Sequence, residues 1–400
     1  MLFQRLSALL FLVVVTAAAP ASAVPAPESA AVVAKRCSSA DQGKERDCYA
    51  AALESRLGAG PTPALELLGA LAVLDEDVRR DGHMYAHRIG IAALTTPADV
   101  SKVFASCTPS WQSGCYHGVI QSYFLLTERA GGGIDAKSVD ALCGDYRGAR
   151  ADLLFQCTHG LGHGLEMLQR YDLPKALASC DLLSRNEEQE MCHAGAFMEN
   201  IVNATQPHST APAAGAAMDH GHGMHMMAQA AFKQLDPNDM HYPCSVVGER
   251  YMIGCYTIQT SAMLHHAKND AAIVGGECGR APAKARPTCF LSFGRDVSVL
   301  SAGKEAEAIR LCTLADATFR PMCHRGVVES LVNMNANPAE GIAYCKAVPE
   351  ADGKTACYTA IGNQALVLPK GEALRAQACR LAEDGMRDVC LGERRAGSGF

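Results

Sequence analysis

The segment that decides the fold reads CGRAPAKARPTC and runs from Cys278 to Cys289. The two cysteines are eleven residues apart, and Pro287 stands two residues before the second one, where proline suits the first turn of a helix. Two antiparallel helices joined by a short turn bring such cysteines close to the ~5.5 Å Cα separation that a disulfide prefers. The segment therefore predicts a helical hairpin cross-linked by one disulfide.

The same pattern recurs along the 400 residues. The eighteen cysteines fall in chain order into nine pairs separated by 8 to 14 residues. The last five second members follow each other at intervals of 33 or 34 residues, the length of a helix–turn–helix repeat. The predicted disulfides are Cys37–Cys48, Cys107–Cys115, Cys143–Cys157, Cys180–Cys192, Cys244–Cys255, Cys278–Cys289, Cys312–Cys323, Cys345–Cys357 and Cys379–Cys390.

These repeats predict an all-α fold, a right-handed αα-hairpin solenoid of about ten ~34-residue repeats. Nine repeats carry a disulfide, and in the tenth we expect Asp81 to take the place of the second cysteine. The repeat domain is expected over 35–395, after a flexible segment at 24–34 and before a flexible tail at 396–400. An inserted loop is expected at about 203–230.

The cysteine spacing also argues against a role as metal ligands. No C-x2-C occurs, so the spacing of a zinc ribbon is absent from the chain. In repeat length and in the use of a disulfide to cross-link each helical hairpin, the chain resembles cysteine-stapled αα-repeat proteins such as the Sel1-like Helicobacter cysteine-rich family, whose cysteine spacing differs from the eleven residues usual here. That resemblance concerns architecture, and no activity follows from it.

The first 23 residues have the features of a signal peptide. Arg5 precedes an apolar stretch, and Ala21-Ser22-Ala23 forms a small-x-small cleavage site. We therefore expect a secreted or periplasmic protein, in a compartment where disulfides persist. No later run approaches the roughly 20 apolar residues of a membrane span. The formal net charge of −6 argues against nucleic acid as a partner.

Histidines recur at two positions of the repeat frame in the amino-terminal half. Relative to the second cysteine, or to Asp81, positions +2 and +6 lie four residues apart and hence on one face of a helix. Five histidines occupy them in three consecutive repeats: His83, His87, His117, His159 and His163. An H-x3-H pair and a third imidazole from a neighbouring helix can bind one metal ion. Because packed helices lie ~8–10 Å apart, we expect one site made of His117 and one pair, or two neighbouring sites.

The alternative is that these histidines are structural and hydrogen-bond within a tightly wound repeat. Glycines surround them at 118, 160, 162 and 164. Each glycine in a helix costs about 1 kcal/mol relative to alanine. Either close packing or a bound ligand must compensate for this cost.

A second group of metal-binding side chains lies in the inserted loop. The loop combines imidazoles and thioethers, and thioethers favour Cu(I). We therefore expect copper as the cofactor, with zinc or iron as alternatives. The predicted loop ligands are His220, His222, His225, Met218, Met224, Met226 and Met227.

Three functions are consistent with the sequence. The first is a secreted metal-binding protein, with copper favoured. The second is a metal-dependent enzyme of the oxidoreductase type that uses the same histidines, with Tyr85, Tyr116 and Glu166 as candidate acid–base or redox groups. The third is a scaffold with structural histidines that binds a protein or peptide in the groove of the solenoid.

Overall fold

A computed structural model of the chain describes residues 28–38, 42–133, 135–205 and 232–392. In these residues the secondary structure is helical, and the one β-type pairing is an isolated bridge between Asp236 and Asp239. The all-α prediction is confirmed. The predicted signal peptide, most of the His/Met-rich loop and the tail at 396–400 lie outside the described residues.

Short and long helices alternate over much of the chain, as a series of hairpins requires. The helices, in chain order, are α1 (Ala30–Cys37), α2 (Gln42–Glu54), α3 (Thr62–Leu74), α4 (Glu76–Arg80), α5 (Gly82–Ala93), α6 (Val100–Ala105), α7 (Gly114–Arg129), α8 (Ala136–Leu142), α9 (Ala151–Leu168), α10 (Leu173–Cys180), α11 (Asn186–Thr205), α12 (Met252–Tyr256), α13 (Gln259–His266), α14 (Ala271–Arg280), α15 (Arg286–Leu300), α16 (Glu305–Cys312), α17 (Arg320–Asn335), α18 (Glu340–Ala347), α19 (Ala351–Leu366), α20 (Gly371–Cys379) and α21 (Arg387–Leu391).

The nine disulfides join the cysteines that the spacing paired. Their Cα–Cα distances lie between 5.4 and 5.7 Å. All eighteen cysteines form disulfides, and none is free. Most of the bonds link the end of a short first helix to a second helix, as Cys180 at the end of α10 is linked to Cys192 in α11. Closing a loop of about this length restricts the unfolded chain by roughly 3 kcal/mol.

The second helices of successive hairpins pack directly on one another. α7 packs between α5 and α9, α9 packs on α11, and α17 packs between α15 and α19. The contact between α9 and α11 is so close that a Cβ on Gly162 would lie 2.0 Å from the carbonyl oxygen of Cys192. A Cβ on Gly294 would lie equally close, at 2.0 Å, to the carbonyl oxygen of Cys323. Only glycine permits this separation of the two backbones.

These glycine contacts correct the expected register of the repeat that lacks cysteines. Gly162 and Gly294 each follow a second cysteine by five residues. Gly90 makes the same contact, since its Cβ would lie 2.1 Å from the carbonyl oxygen of Cys115. Tyr85, five residues before Gly90 and 4% exposed, therefore takes the place of the second cysteine, and the expectation of Asp81 was wrong by one helical turn. His83 then stands at −2 and His87 at +2.

Two expected irregular segments are partly helical. The stretch 24–34 was expected to be flexible, but α1 begins at Ala30, because Ser29 caps the helix and Val33 is buried beneath it. At the insertion, α11 continues to Thr205, so the first residues of the expected loop belong to this helix.

Candidate metal centre

Three of the five predicted histidines converge between α7 and α9. His117 comes from α7, and His159 and His163 lie one turn apart on α9. One ring nitrogen of each can be chosen so that all three lie within 4.8 Å of one another. Among the described residues this is the one group of three or more His, Cys, Asp or Glu side chains arranged in this way. The group can hold a metal ion.

The spacing between the two α9 imidazoles suits a shared ion. The Nε2 atoms of His159 and His163 are 3.3 Å apart. In a tetrahedral site with metal–nitrogen bonds of about 2.0–2.1 Å, two ligand nitrogens are separated by about 3.3–3.4 Å. The ring of His117 stacks on that of His163 with centroids 4.3 Å apart and lies 5.6 Å from that of His159. The third imidazole is therefore adjacent to both.

The glycines around these histidines are explained by helix packing. A Cβ on Gly118 would lie 1.9 Å from the carbonyl oxygen of His87, and one on Gly164 would lie 2.5 Å from the ring of Phe124. Together with Gly162, these residues bring α5, α7, α9 and α11 into close contact. The close packing that the sequence required is present, so these glycines need no ligand to account for them.

Glu199 on α11 fixes the orientation of one imidazole. Its Oε2 accepts a hydrogen bond from Nδ1 of His163 at 3.0 Å, and its Oε1 accepts one from the Tyr171 hydroxyl at 3.3 Å. Because Nδ1 carries the proton, Nε2 of His163 carries the lone pair and is turned toward His159. A carboxylate that holds the second nitrogen of a histidine in this way is typical of metal ligands.

Burial keeps the imidazoles in the neutral form that binds metals. The pKa of His117 is lowered well below its usual value by burial and then by the neighbouring imidazoles. Burial, followed by the proximity of His163, lowers the pKa of His159 to about 3. The pKa of His83 is also lowered, mainly by burial. These rings are neutral near pH 7, so protons compete weakly with a metal ion for them.

His117 is the least satisfied of the cluster. It is 4% exposed, and neither of its ring nitrogens has a hydrogen-bond partner among the described residues. A buried polar group without a partner costs about 1–3 kcal/mol. Gln121, one turn further along α7, is 3% exposed, and its Oε1 also has no partner within the described part of the chain. A bound cation would give such atoms an interaction that the fold does not supply.

His83 and His87 lie next to the group of three. The ring centroid of His83 is 5.6 Å from that of His117 and 6.3 Å from that of His87. Nδ1 of His83 donates to the carbonyl oxygen of Trp111 at 2.9 Å, which leaves the lone pair on Nε2. The five imidazoles thus form one continuous row, although His83 and His87 are outside the 4.8 Å group. That they bind metal remains a prediction.

The three candidate catalytic residues have different surroundings. Tyr85 packs against the ring of Tyr49, and the Tyr116 hydroxyl donates to the carbonyl oxygen of Cys107 at 3.1 Å. Glu166 is fully buried on α9, three residues beyond His163, and neither carboxyl oxygen has a hydrogen-bond partner in the described residues. Burial, followed by the charge of Glu199, raises the pKa of Glu166 well above its usual value. A catalytic role for any of the three remains a prediction.

The sequence analysis missed Glu199 and Gln121. Gln121 stands six residues after Cys115, the same register position as His163 after Cys157, so the repeat frame contained a signal for it. Glu199 stands seven residues after Cys192, and Asp296 follows Cys289 by the same interval. The repeat frame therefore contained a signal for Gln121, but none for the contact between Glu199 and His163.

Two further histidines outside the cluster occupy structural positions, as the sequence predicted. His193 binds Asp181 at 2.8 Å and His324 binds the Tyr344 hydroxyl at 2.6 Å, which agrees with structural roles. The predicted loop ligands lie outside the described residues: His220, His222, His225, Met218, Met224, Met226 and Met227.

Comparison with family models, with curated proteins and with solved structures gives no match to this chain. Only the geometry of the site therefore indicates what the protein does. None of the helices in the described part of the chain combines the length and apolar character needed to cross a bilayer.

Proposed function

We propose that this protein binds a transition-metal ion through His117, His159 and His163. The observation that carries the proposal is the convergence of three imidazoles, two with their Nε2 atoms 3.3 Å apart, on a buried point where His117 has no other partner. Glu199 supports it because a carboxylate on the outer nitrogen orients the ring of His163 toward the ion. Three protein ligands leave a fourth position for water or another ligand.

Copper is the proposed ion. A site of three neutral imidazoles suits copper, zinc, iron or nickel. The four methionines between residues 218 and 227 add thioether ligands, which select Cu(I) over the other three ions. We propose that this loop collects the ion and that the buried triad retains it.

The architecture and the cellular location complete the proposal. The direct packing of successive second helices supports a right-handed αα-hairpin solenoid, whose groove is the proposed location for a bound protein or peptide. The nine disulfides are consistent with a secreted or extracellular protein. Together with the predicted signal peptide at 1–23, they support export to an oxidising compartment.

Metal retention tests the proposed function directly. The full chain, produced in an oxidising compartment, is dialysed against Cu(II) or Zn(II), and the retained metal is measured by elemental analysis. We compare wild type with the triple variant His117→Ala/His159→Ala/His163→Ala, and with His265→Ala, which removes an exposed histidine. Free-thiol counting and circular dichroism establish that each variant is folded.

The expected result is retention by wild type and His265→Ala and loss in the triple variant. A second variant, His220→Ala/His222→Ala/His225→Ala, separates the loop from the triad and should retain the buried ion. Equal retention by wild type and the triple variant would show that the triad does not bind the metal.

A metal-dependent oxidoreductase is the second candidate, and Glu166 is the observation that favours it. A buried carboxyl group with a raised pKa, three residues beyond a proposed metal ligand, can donate a proton to a substrate or to reduced oxygen. The test is dioxygen uptake by the copper-loaded protein with ascorbate as electron donor. An enzyme of this kind should lose at least about tenfold in rate on Glu166→Gln. Equal rates would exclude a catalytic role for Glu166.

A further inference from the structure

His117 stands between two groups of histidines. α7 packs between α5, which carries His83 and His87, and α9, which carries His159 and His163. The ring centroid of His117 is 5.6 Å from that of His83 on one side and 4.3 Å from that of His163 on the other. One imidazole is therefore shared by two neighbouring pairs.

An imidazole has two nitrogens that point away from each other. When one nitrogen of His117 binds the ion held by His159 and His163, the other must carry a proton or bind something else. Neither nitrogen has a hydrogen-bond partner among the described residues, and the ring is 4% exposed. A single ion would therefore leave one nitrogen of a buried ring without a partner.

We propose that the cluster binds two metal ions and that His117 bridges them. The first ion is bound by His117, His159 and His163, and the second by the other nitrogen of His117 with His83 and His87. On binding the second ion, His117 releases its remaining ring proton to the solvent and bridges as imidazolate. This inference depends on the proposed function, because the second ion requires the first site to exist.

The surroundings of the α5 pair suit this role. The carbonyl oxygen of Trp111 accepts the Nδ1 proton of His83, so Nε2 carries the lone pair that a metal requires. His83 and His87 are only partly buried, and the ring of His83 lies between those of His87 and His117, at centroid distances of 6.3 and 5.6 Å. The backbone of His87 is fixed against α7, because its carbonyl oxygen occupies the space above Gly118.

Electron paramagnetic resonance during a Cu(II) titration tests the bridge. The protein is the full chain with His220, His222 and His225 changed to alanine and Met218, Met224, Met226 and Met227 changed to leucine, so that the loop cannot supply the second site. Copper(II) chloride is added in steps to two equivalents, and the double-integrated signal is measured with bound copper determined in parallel. Two Cu(II) ions joined by an imidazolate couple antiferromagnetically, which removes the signal of both.

We expect the signal to rise to one copper per chain and then to fall at least fivefold as the second copper binds. In the same background, His83→Gln/His87→Ala should bind one copper with an undiminished signal. A signal that rises linearly to two coppers, or binding that stops at one, would overturn the bridge and leave the triad intact. Failure to bind even the first copper would instead overturn the proposed function.

Discussion

Two helix pairs with the same close contact differ in the groups that they bury. In α9–α11 and in α15–α17, a glycine lies five residues after the second cysteine of one hairpin and faces the carbonyl oxygen of the second cysteine of the next hairpin. A Cβ on either glycine would lie 2.0 Å from that oxygen. In this frame Leu291 stands where His159 stands and Arg295 stands where His163 stands. The scaffold is therefore shared, and the side chains along it are not.

The polar groups near α15 satisfy one another. Asp296 accepts hydrogen bonds from Thr260 at 2.7 Å, from Ser261 at 3.1 Å and from Arg295 at 2.7 Å, and Thr260 is bonded to Ser292 at 2.6 Å. The helices α7 and α9 bury polar atoms that have no partner in the described residues: both ring nitrogens of His117, Oε1 of Gln121 and both carboxyl oxygens of Glu166.

This difference separates what the fold requires from what a ligand requires. At α15, a hairpin with an equivalent disulfide and an equivalent glycine contact has a closed hydrogen-bond network. Where the network is open, the fold does not explain it, and the proposed cation would give His117 a partner. Matched changes in the two regions test this difference for the ligands, the carboxylates and the glycines, and a change of Glu166 tests the open network alone.

The largest expected effect is on metal affinity. His159→Ala/His163→Ala removes two of the three ligands, and we expect affinity for Cu(II) to fall by more than about 100-fold, because loss of an outer partner alone costs 10–100-fold. Leu291→Ala/Arg295→Ala changes the same register positions in α15 and should leave affinity unchanged. Competition against a chromophoric chelator measures both. Equal affinities in the two variants would contradict the assignment.

The second-largest expected effect is on metal affinity when the carboxylate of Glu199 is changed, with Asp296 as its matched counterpart. Glu199→Gln keeps the shape of the side chain but weakens its hold on the Nδ1 proton of His163, so we expect metal affinity about 10–100-fold lower. Asp296→Asn, seven residues after the equivalent cysteine, should leave affinity unchanged and lower the free energy of unfolding. The same chelator competition and a urea titration measure these changes. If Glu199→Gln binds metal as tightly as wild type, Glu199 has no positioning role.

The two glycine contacts allow a matched comparison of how a substitution in each region changes stability. Gly162→Ala and Gly294→Ala each place a methyl group 2.0 Å from a carbonyl oxygen, and each should lower the free energy of unfolding by about 1–3 kcal/mol. Only Gly162→Ala should also weaken metal binding, because it moves α9 relative to α11. Gly276→Ala is the control, since nothing lies within 4 Å of its Cβ. Calorimetry measures stability, and a metal defect in Gly294→Ala would contradict the comparison.

The smallest expected effect is a change in the pH dependence of stability. The raised pKa of Glu166 means that the folded chain keeps a proton that the unfolded chain releases above pH ~4.5. Its contribution therefore favours folding at low pH and is lost as the pH rises from that value toward the folded pKa. Glu166→Gln removes this dependence, so the variant should gain stability relative to wild type as the pH rises. Urea midpoints of the apo-protein between pH 4 and 8 measure it, and a constant difference would contradict the assignment.

Much of the fold could be predicted because the cysteines that form the disulfides recur at regular intervals in the sequence. The spacing of 8 to 14 residues placed each disulfide between two successive helical segments, and the nine predicted pairs are those in the structure. The repeat without cysteines lacked this sequence signal. Its register was wrong by four residues, because the approach of Gly90 to the Cys115 carbonyl decides it, and that contact is between helices.

The site was predicted less completely. The repeat frame brought His117, His159 and His163 together because equivalent positions on adjacent helices are neighbours. It could not show that His83 and His87 stand outside the closest group, since this depends on ring orientations. Glu199 was missed because an outer-shell partner is recognised by its distance to a ligand, and the sequence does not contain that distance.

The most direct test of the account is an anomalous difference map from crystals of the full chain grown with one equivalent of Cu(II). We predict one peak in the space between α7 and α9, about 2.0–2.1 Å from a ring nitrogen of each of His117, His159 and His163. A peak bound by other residues, with none between these three imidazoles, would contradict it.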